Sequence, residues 1–124
     1  MTLQVELVSP ERILYSGEAD MVIARTAGGD IAFLTGHAPF VGSLGIGKVV
    51  VRQSDGTSVT AAVHGGFVEV KDNRVTILSD VAELASQIDV SRAREALARV
   101  VDDEDARRRA EVRLDVAGEI SAAH

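Results

Sequence analysis

The residues able to do chemistry are few. The histidines are His37, His64 and terminal His124. Beside a carboxylate such as Asp30 or Asp80, a histidine could serve a metal site or act as a general base. No spacing brings these groups together, and no serine sits in a nucleophile-elbow context. The structural expectation is simpler: His37 packs or hydrogen-bonds in a tight loop, and His64 precedes a Gly-Gly bulge or bend. Gly42-Ser43-Leu44-Gly45-Ile46-Gly47-Lys48 fits the G-x-x-x-x-G-K part of a phosphate loop. Val49 stands where the Mg²⁺-binding hydroxyl belongs, and Val49-Val50-Val51 predicts a strand where phosphate needs a helix N-terminus. A glycine-bent strand corner fits these residues better. Arg107-Arg108-Arg109 is basic, but Glu104, Asp105 and Glu111 surround it. A solvated helix face with pairs such as Asp105–Arg109 is the expectation.

Composition narrows the classes further. The chain has 124 residues, 46% hydrophobic and 26% charged, which describes a globular domain rather than a disordered one. Aromatics are 3%, so the core must be aliphatic. Cysteine is absent, which removes disulfides and thiolate metal sites. The net charge of −6 argues against sequence-independent binding to DNA or anionic lipid. The N-terminus lacks a basic stretch followed by an apolar run, so no secretory signal is expected. No apolar run reaches the length of a membrane span.

Two textures divide the chain. All glycines but Gly118, and both prolines, fall at or before Gly66, between short apolar runs. Charge is concentrated after Asp80. This predicts an all-β module over residues 1–84 and a helical one over 85–124. The clearest strand pattern is Ala61 to Asp80. An Asp72-Asn73 turn of type I′ pairs Val70 with Val75 and Val68 with Ile77, leaving Phe67, Glu69, Lys71, Arg74 and Thr76 on the other face. Other strands are expected at Leu3 to Leu7, Arg12 to Gly17, Met21 to Thr26, Ile31 to Leu34, Phe40 to Leu44, Lys48 to Arg52 and Ser58 to Val63. The fold class is a flattened β-sandwich of about ten strands followed by an antiparallel two-helix hairpin. In the first helix Val90, Ala93, Leu97 and Val100 or Val101 share a face, and Asp89 caps the start. In the second, acidic residues from Asp102 to Asp105 favour the N-terminus, Ala106, Ala110, Leu114 and Ala117 recur, and Gly118 caps the end. Ala-rich faces bury little area, so a hairpin able to detach is expected.

Gly29-Asp30-Ile31-Ala32-Phe33-Leu34-Thr35-Gly36-His37-Ala38-Pro39 is similar to the G-E-I-G-I-L-P-G-H-A-P pattern of the epsilon subunit of F-type ATP synthases. Pro10-Glu11-Arg12 with Ser16-Gly17-Glu18-Ala19, and Gly65-Gly66-Phe67-Val68-Glu69-Val70 with Val75-Thr76-Ile77-Leu78, resemble other blocks of that family in the same order. Ala32, Phe33 and Thr35 depart from its pattern.

The resemblance implies a non-catalytic rotor subunit of the bacterial type. Its partners would be the gamma subunit, the c-subunit ring and, through the helices, the alpha/beta catalytic head. It would be a peripheral protein on the cytoplasmic face of the cell membrane, held there by partners. Asp30, His37 and Ala38 would be ring-contact residues. The helices would inhibit ATP hydrolysis. No cofactor would be required, but some members bind regulatory ATP through I/L-D-x-x-R-A. Ile88-Asp89-Val90-Ser91-Arg92-Ala93 matches that motif, which would make Ile88, Asp89, Arg92 and Ala93, with Arg99, the nucleotide site. Read from the residues alone, Asp89 is an N-cap and Arg92 faces solvent. The alternative function is a free-standing sandwich that binds a small ligand beneath a helical lid. The shortage of aromatics counts against it.

Overall fold

The computed structural model describes residues 2–99 and 102–118. Eight strands come first: β1 (Leu3–Ser9), β2 (Arg12–Ala19), β3 (Met21–Thr26), β4 (Gly29–Leu34), β5 (Phe40–Arg52), β6 (Ser58–Lys71), β7 (Arg74–Leu78) and β8 (Ala82–Leu84). A 3-10 turn (Ala85–Gln87) leads to α1 (Val90–Arg99) and α2 (Glu104–Val116). The count lies at the lower end of expectation because two expected pairs of strands fuse. Phe40–Leu44 and Lys48–Arg52 are one strand, β5, and Ser58–Val63 runs on into β6.

The β6–β7 hairpin forms as its turn residues dictate. Asp72 (φ 52°) and Asn73 (φ 59°) occupy the left-handed region that a type I′ turn requires. Val70 pairs with Val75 and Val68 with Ile77, and all four are buried. The strand order is β2-β1-β7-β6-β5-β3-β4, with β8 also on β6. All pairings are antiparallel except β1 with β7, which is parallel.

The two long strands join the layers of the sandwich. The second half of β6 pairs with β7, and its first half pairs with β8. Between them Gly65 (φ 89°) and Gly66 (φ 125°) bend the strand. The pairing register with β5 is unchanged across this point, so this is a bend and not a bulge. A side chain at Gly66 would meet the Leu78 carbonyl and the Ser79 Cα, so only glycine fits. The core between the layers is aliphatic apart from Phe33. It joins Leu3, Val5 and Leu7 of β1 and Val68, Val70, Val75 and Ile77 to Val22, Val49, Val51, Ala61 and Val63.

Ala62 alternates with Ala61 and Val63 and therefore faces outward, yet it is fully buried. It is covered by Ile88, Val112 and Val116, with Ile46, Val90 and Ala117 at the margin. The second helix lies against β5 and β6, and α1 packs on α2. The expected apolar stripe of α2 was therefore incomplete. Ala110 and Leu114 are buried as expected, but so are Val112 and Val116, because a helix with two neighbours needs two apolar faces. Asp89 caps α1, its carboxylate accepting the Arg92 N–H at 3.0 Å. Asp103 caps α2 in the same way through Ala106 N–H at 3.0 Å. Gly118 follows the α2 C-cap with φ 84°, as expected. Val100 and Val101, expected to extend the α1 face, lie outside the described residues.

Candidate functional site: the seat of the helical hairpin

The hairpin meets the sandwich through the apolar seat on Ala62 and a ring of charge around it. Arg113 Nε of α2 donates to Glu83 Oε1 of β8 at 2.5 Å. Lys48 of β5 pairs with Asp115 of α2 at 3.2 Å. Both pairs are partly exposed, so each contributes at most about 1 kcal/mol. His64 of β6 lies under α2 beside the Glu83–Arg113 pair, its side chain 3% exposed. Burial first, and then the Arg113 charge, lower its pKa to about 4, with Glu83 pulling the other way.

Above this seat α1, α2 and the 3-10 turn enclose a cleft of about 530 Å³ lined by Glu83, Gln87, Asp89, Arg92, Ala93, Arg109 and Arg113. That volume is in the range of small-molecule sites. Asp89 and Arg92 reach it because the cap places them at the first turn of α1. Arg109 and Arg113 reach it from α2, one helical turn apart. The expected Asp105–Arg109 pair does not form. Among the described residues neither Arg92 nor Arg109 has a carboxylate partner within 4.0 Å. Three guanidinium groups thus line one cleft, together with the carboxylates of Glu83, which holds Arg113, and Asp89.

The residues expected at a nucleotide site separate into three groups. Asp89, Arg92 and Ala93 line the cleft. Ile88 is buried beneath α2 as part of the apolar seat, where it packs. Arg99 is not brought to the cleft; it pairs with Glu95 on the exposed side of α1. Arg109 and Arg113 take the position expected of Arg99. Their run with Arg108 was visible in the sequence, but only the fold of the hairpin turns two of its members toward Arg92.

The expected ring-contact residues also divide. His37 and Ala38 lie in the loop after β4. There His37 Nδ1 is 2.7 Å from the Ala38 carbonyl, and its ring stands edge-on to Phe33 at 5.0 Å between centroids. Gly36 N–H donates to Asn73 Oδ1 at 2.7 Å, which ties this loop to the β6–β7 turn. Asp30 is at the opposite end of β4, held by Arg25 Nε at 2.6 Å. About 13 Å of strand separates it from Leu34, so the three residues do not form one patch. A second surface was not foreseen. Ile13, Val8, Leu78 and Phe67 are successive cross-strand neighbours on one outer face of the sandwich. Ile13, Leu78 and Phe67 are 60%, 52% and 58% exposed. With Val8 between Ile13 and Leu78, these side chains form an exposed apolar row across four neighbouring strands.

No helix among the described residues is long and apolar enough to cross a membrane. A family model described as "ATP synthase, Delta/Epsilon chain, beta-sandwich domain" matches residues 2–85. The ATP synthase epsilon chain of Streptomyces avermitilis is 50% identical over 114 residues, 90% of this chain and 92% of that protein. The epsilon chain of Rhodococcus opacus is 47% identical over 105 residues, 84% of this chain and 86% of that one. Among solved structures, a chain of the Euglena gracilis mitochondrial ATP synthase (OSCP/F1/c-ring) superposes with a TM-score of 0.66 at 23% identity, covering 95% of this chain and 78% of its own. A chain of the Tetrahymena thermophila mitochondrial ATP synthase central stalk and c-ring gives 0.64 at 17% identity, covering 97% and 98%. The likeness to the Streptomyces and Rhodococcus chains runs past the sandwich into the helices, and the chain belongs to the ATP synthase epsilon chain family.

Proposed function

We propose that the chain is a non-catalytic central-stalk subunit of a proton-driven rotary ATP synthase. The sandwich joins the gamma subunit to the c-subunit ring, and the helices restrain ATP hydrolysis when they leave the sandwich for the alpha/beta head. The observation that carries this reading is 50% identity to an ATP synthase epsilon chain over 90% of the chain, helices included. The apolar row of Ile13, Leu78 and Phe67 suits a permanent protein contact and is assigned to gamma. The loop of His37 and Ala38 is assigned to the ring, with Asp30 serving elsewhere. The hairpin is suited to move because its seat is a separate small cluster, distinct from the sandwich core, with two partly exposed ion pairs around it.

A nucleotide such as ATP is the ligand we assign to the cleft. Arg92, Arg109 and Arg113 would meet phosphate oxygens, and bound nucleotide would hold α1 against α2 in the docked state. The subunit would sit at the membrane surface through its partners.

The test of the assignment is co-purification. The chain is tagged in its host, the membranes are solubilised gently, and the co-eluting proteins are identified. Recovery of gamma, alpha, beta and c subunits is expected. A partnerless protein in the soluble fraction would sink the rotor assignment and leave the small-ligand sandwich in its place.

A further inference from the structure

The His64 side chain is 3% exposed and has charged neighbours on two elements. Directly across the ladder lies Ile46 of β5. Glu83 approaches from β8, and Arg109 and Arg113 from α2. Among the described residues neither ring nitrogen has a hydrogen-bond partner. Nε2 lies 3.6 Å from Glu83 Oε1, too far for a hydrogen bond, and that oxygen is already held by Arg113. A buried neutral imidazole with two unmet nitrogens has no evident packing advantage over an aliphatic residue. In the docked state an imidazolium would be desolvated beside two guanidinium groups, its one carboxylate neighbour engaged elsewhere.

The cover over His64 is α2. When the hairpin leaves, Arg109 and Arg113 leave with it, water reaches the ring, and Glu83 loses its arginine. All three changes favour the protonated ring. We propose that His64 is an acid-sensitive latch: its protonation releases the helical hairpin from the sandwich. This rests on the reading that the hairpin moves, and adds a regulation to it. Acidification biases the helices toward the state assigned above to restraint of hydrolysis.

The sign follows from the pKa values in the two states. Burial, with the Arg113 and Arg109 charges outweighing Glu83, lowers the value from 6.5 to about 4, so the docked state is favoured above 6.5 and loses that advantage as pH falls toward 4. With those two values, linkage weakens docking about tenfold between pH 7.5 and pH 5.5.

The experiment uses the full chain, which has no native cysteine and a single tyrosine, Tyr15. Cysteines replacing exposed Ser91 of α1 and Lys71 of the sandwich carry a donor and an acceptor dye. Urea titrations at pH 7.5 and pH 5.5 follow hairpin release by energy transfer and sandwich unfolding by Tyr15 fluorescence. The expected result is release before unfolding, with a docking constant about tenfold lower at pH 5.5. In His64→Leu that pH response should vanish, while Glu83, Lys48 and the α2 charges remain. His64→Gln, also non-titrating in this range, makes the same comparison if the leucine variant does not fold. An unchanged docking constant in the wild type, or an equal response in the variants, overturns the latch alone. Coincident release and unfolding at both pH values overturns the latch together with the movable hairpin.

Discussion

Ala62→Asp should undock the hairpin while sparing the sandwich. The Ala62 side chain faces away from the sandwich core and is buried under Val112 and Val116 of α2 and Ile88 just before α1, with Ile46, Val90 and Ala117 at the margin. A carboxylate at this position would lie beneath those residues between two cross-strand neighbours, Glu83 of like charge and Lys48, whose ammonium is already held by Asp115 at 3.2 Å. Leaving an unpaired charge in a buried site costs about 3–5 kcal/mol. At about 1.4 kcal/mol per decade, docking should weaken by at least about a hundredfold. The released state escapes this cost because the introduced carboxylate then meets water on the outer face of β6, so the sandwich should lose little. The assay is energy transfer between dyes on α1 and the sandwich, with Tyr15 fluorescence in urea beside it. Loss of transfer with an unmoved Tyr15 transition is the expected outcome. Retained transfer, or a Tyr15 transition showing a sandwich as strongly destabilised as the docking, would refute the view of Ala62 as a seat separate from the core. In the assembled enzyme the same variant should hydrolyse ATP more slowly, since its helices are always free.

Gly66→Ala should destabilise the sandwich far more than Gly65→Ala in denaturant titration. Both residues have positive φ, a strain of about 1–2 kcal/mol for alanine. Only at Gly66 does the new Cβ strike backbone, at Leu78 and Ser79, whereas at Gly65 nothing lies within 4 Å. Asp103→Ala removes the acceptor of the Ala106 N–H and should weaken α2 by about 1 kcal/mol, seen as earlier hairpin release. Arg92→Ala and Arg109→Ala should each lower the heat of ATP binding in calorimetry, while Arg99→Ala should leave it unchanged because that side chain is held by Glu95. Absence of heat with the wild-type chain would end the nucleotide assignment.

What could be read from the order of residues is what depends on near neighbours. Alternation in Leu3, Val5 and Leu7 or in Val68 and Val70 marks the buried face of a strand because its side-chain period is two. The Asp72-Asn73 turn follows because these residues tolerate positive φ, and that turn sets the hairpin register. The Asp89 and Asp103 caps each act on an N–H three residues on. The family blocks around Gly29–Pro39 and Gly65–Leu78 belong to the same legible layer.

Other features required the chain to close on itself. The parallel pairing of β1 with β7 joins residues with most of the sandwich between them, and no local signal encodes it. Fusion of two expected strands into β5 and two into β6 depends on partners along their whole length. The second apolar face of α2, Val112 and Val116, is legible only once α2 is known to lie between α1 and the sheet. Asp30 and His37 lie seven positions apart in sequence, but β4 runs between them and carries them to opposite ends. Arg92 and Arg109, distant in sequence, converge because α1 and α2 fold back on each other, and Arg99 points away by its place on the α1 turn. Charge, turn and cap act over a few residues; a cleft and a latch depend on contacts between distant segments, and only the folded chain supplies them.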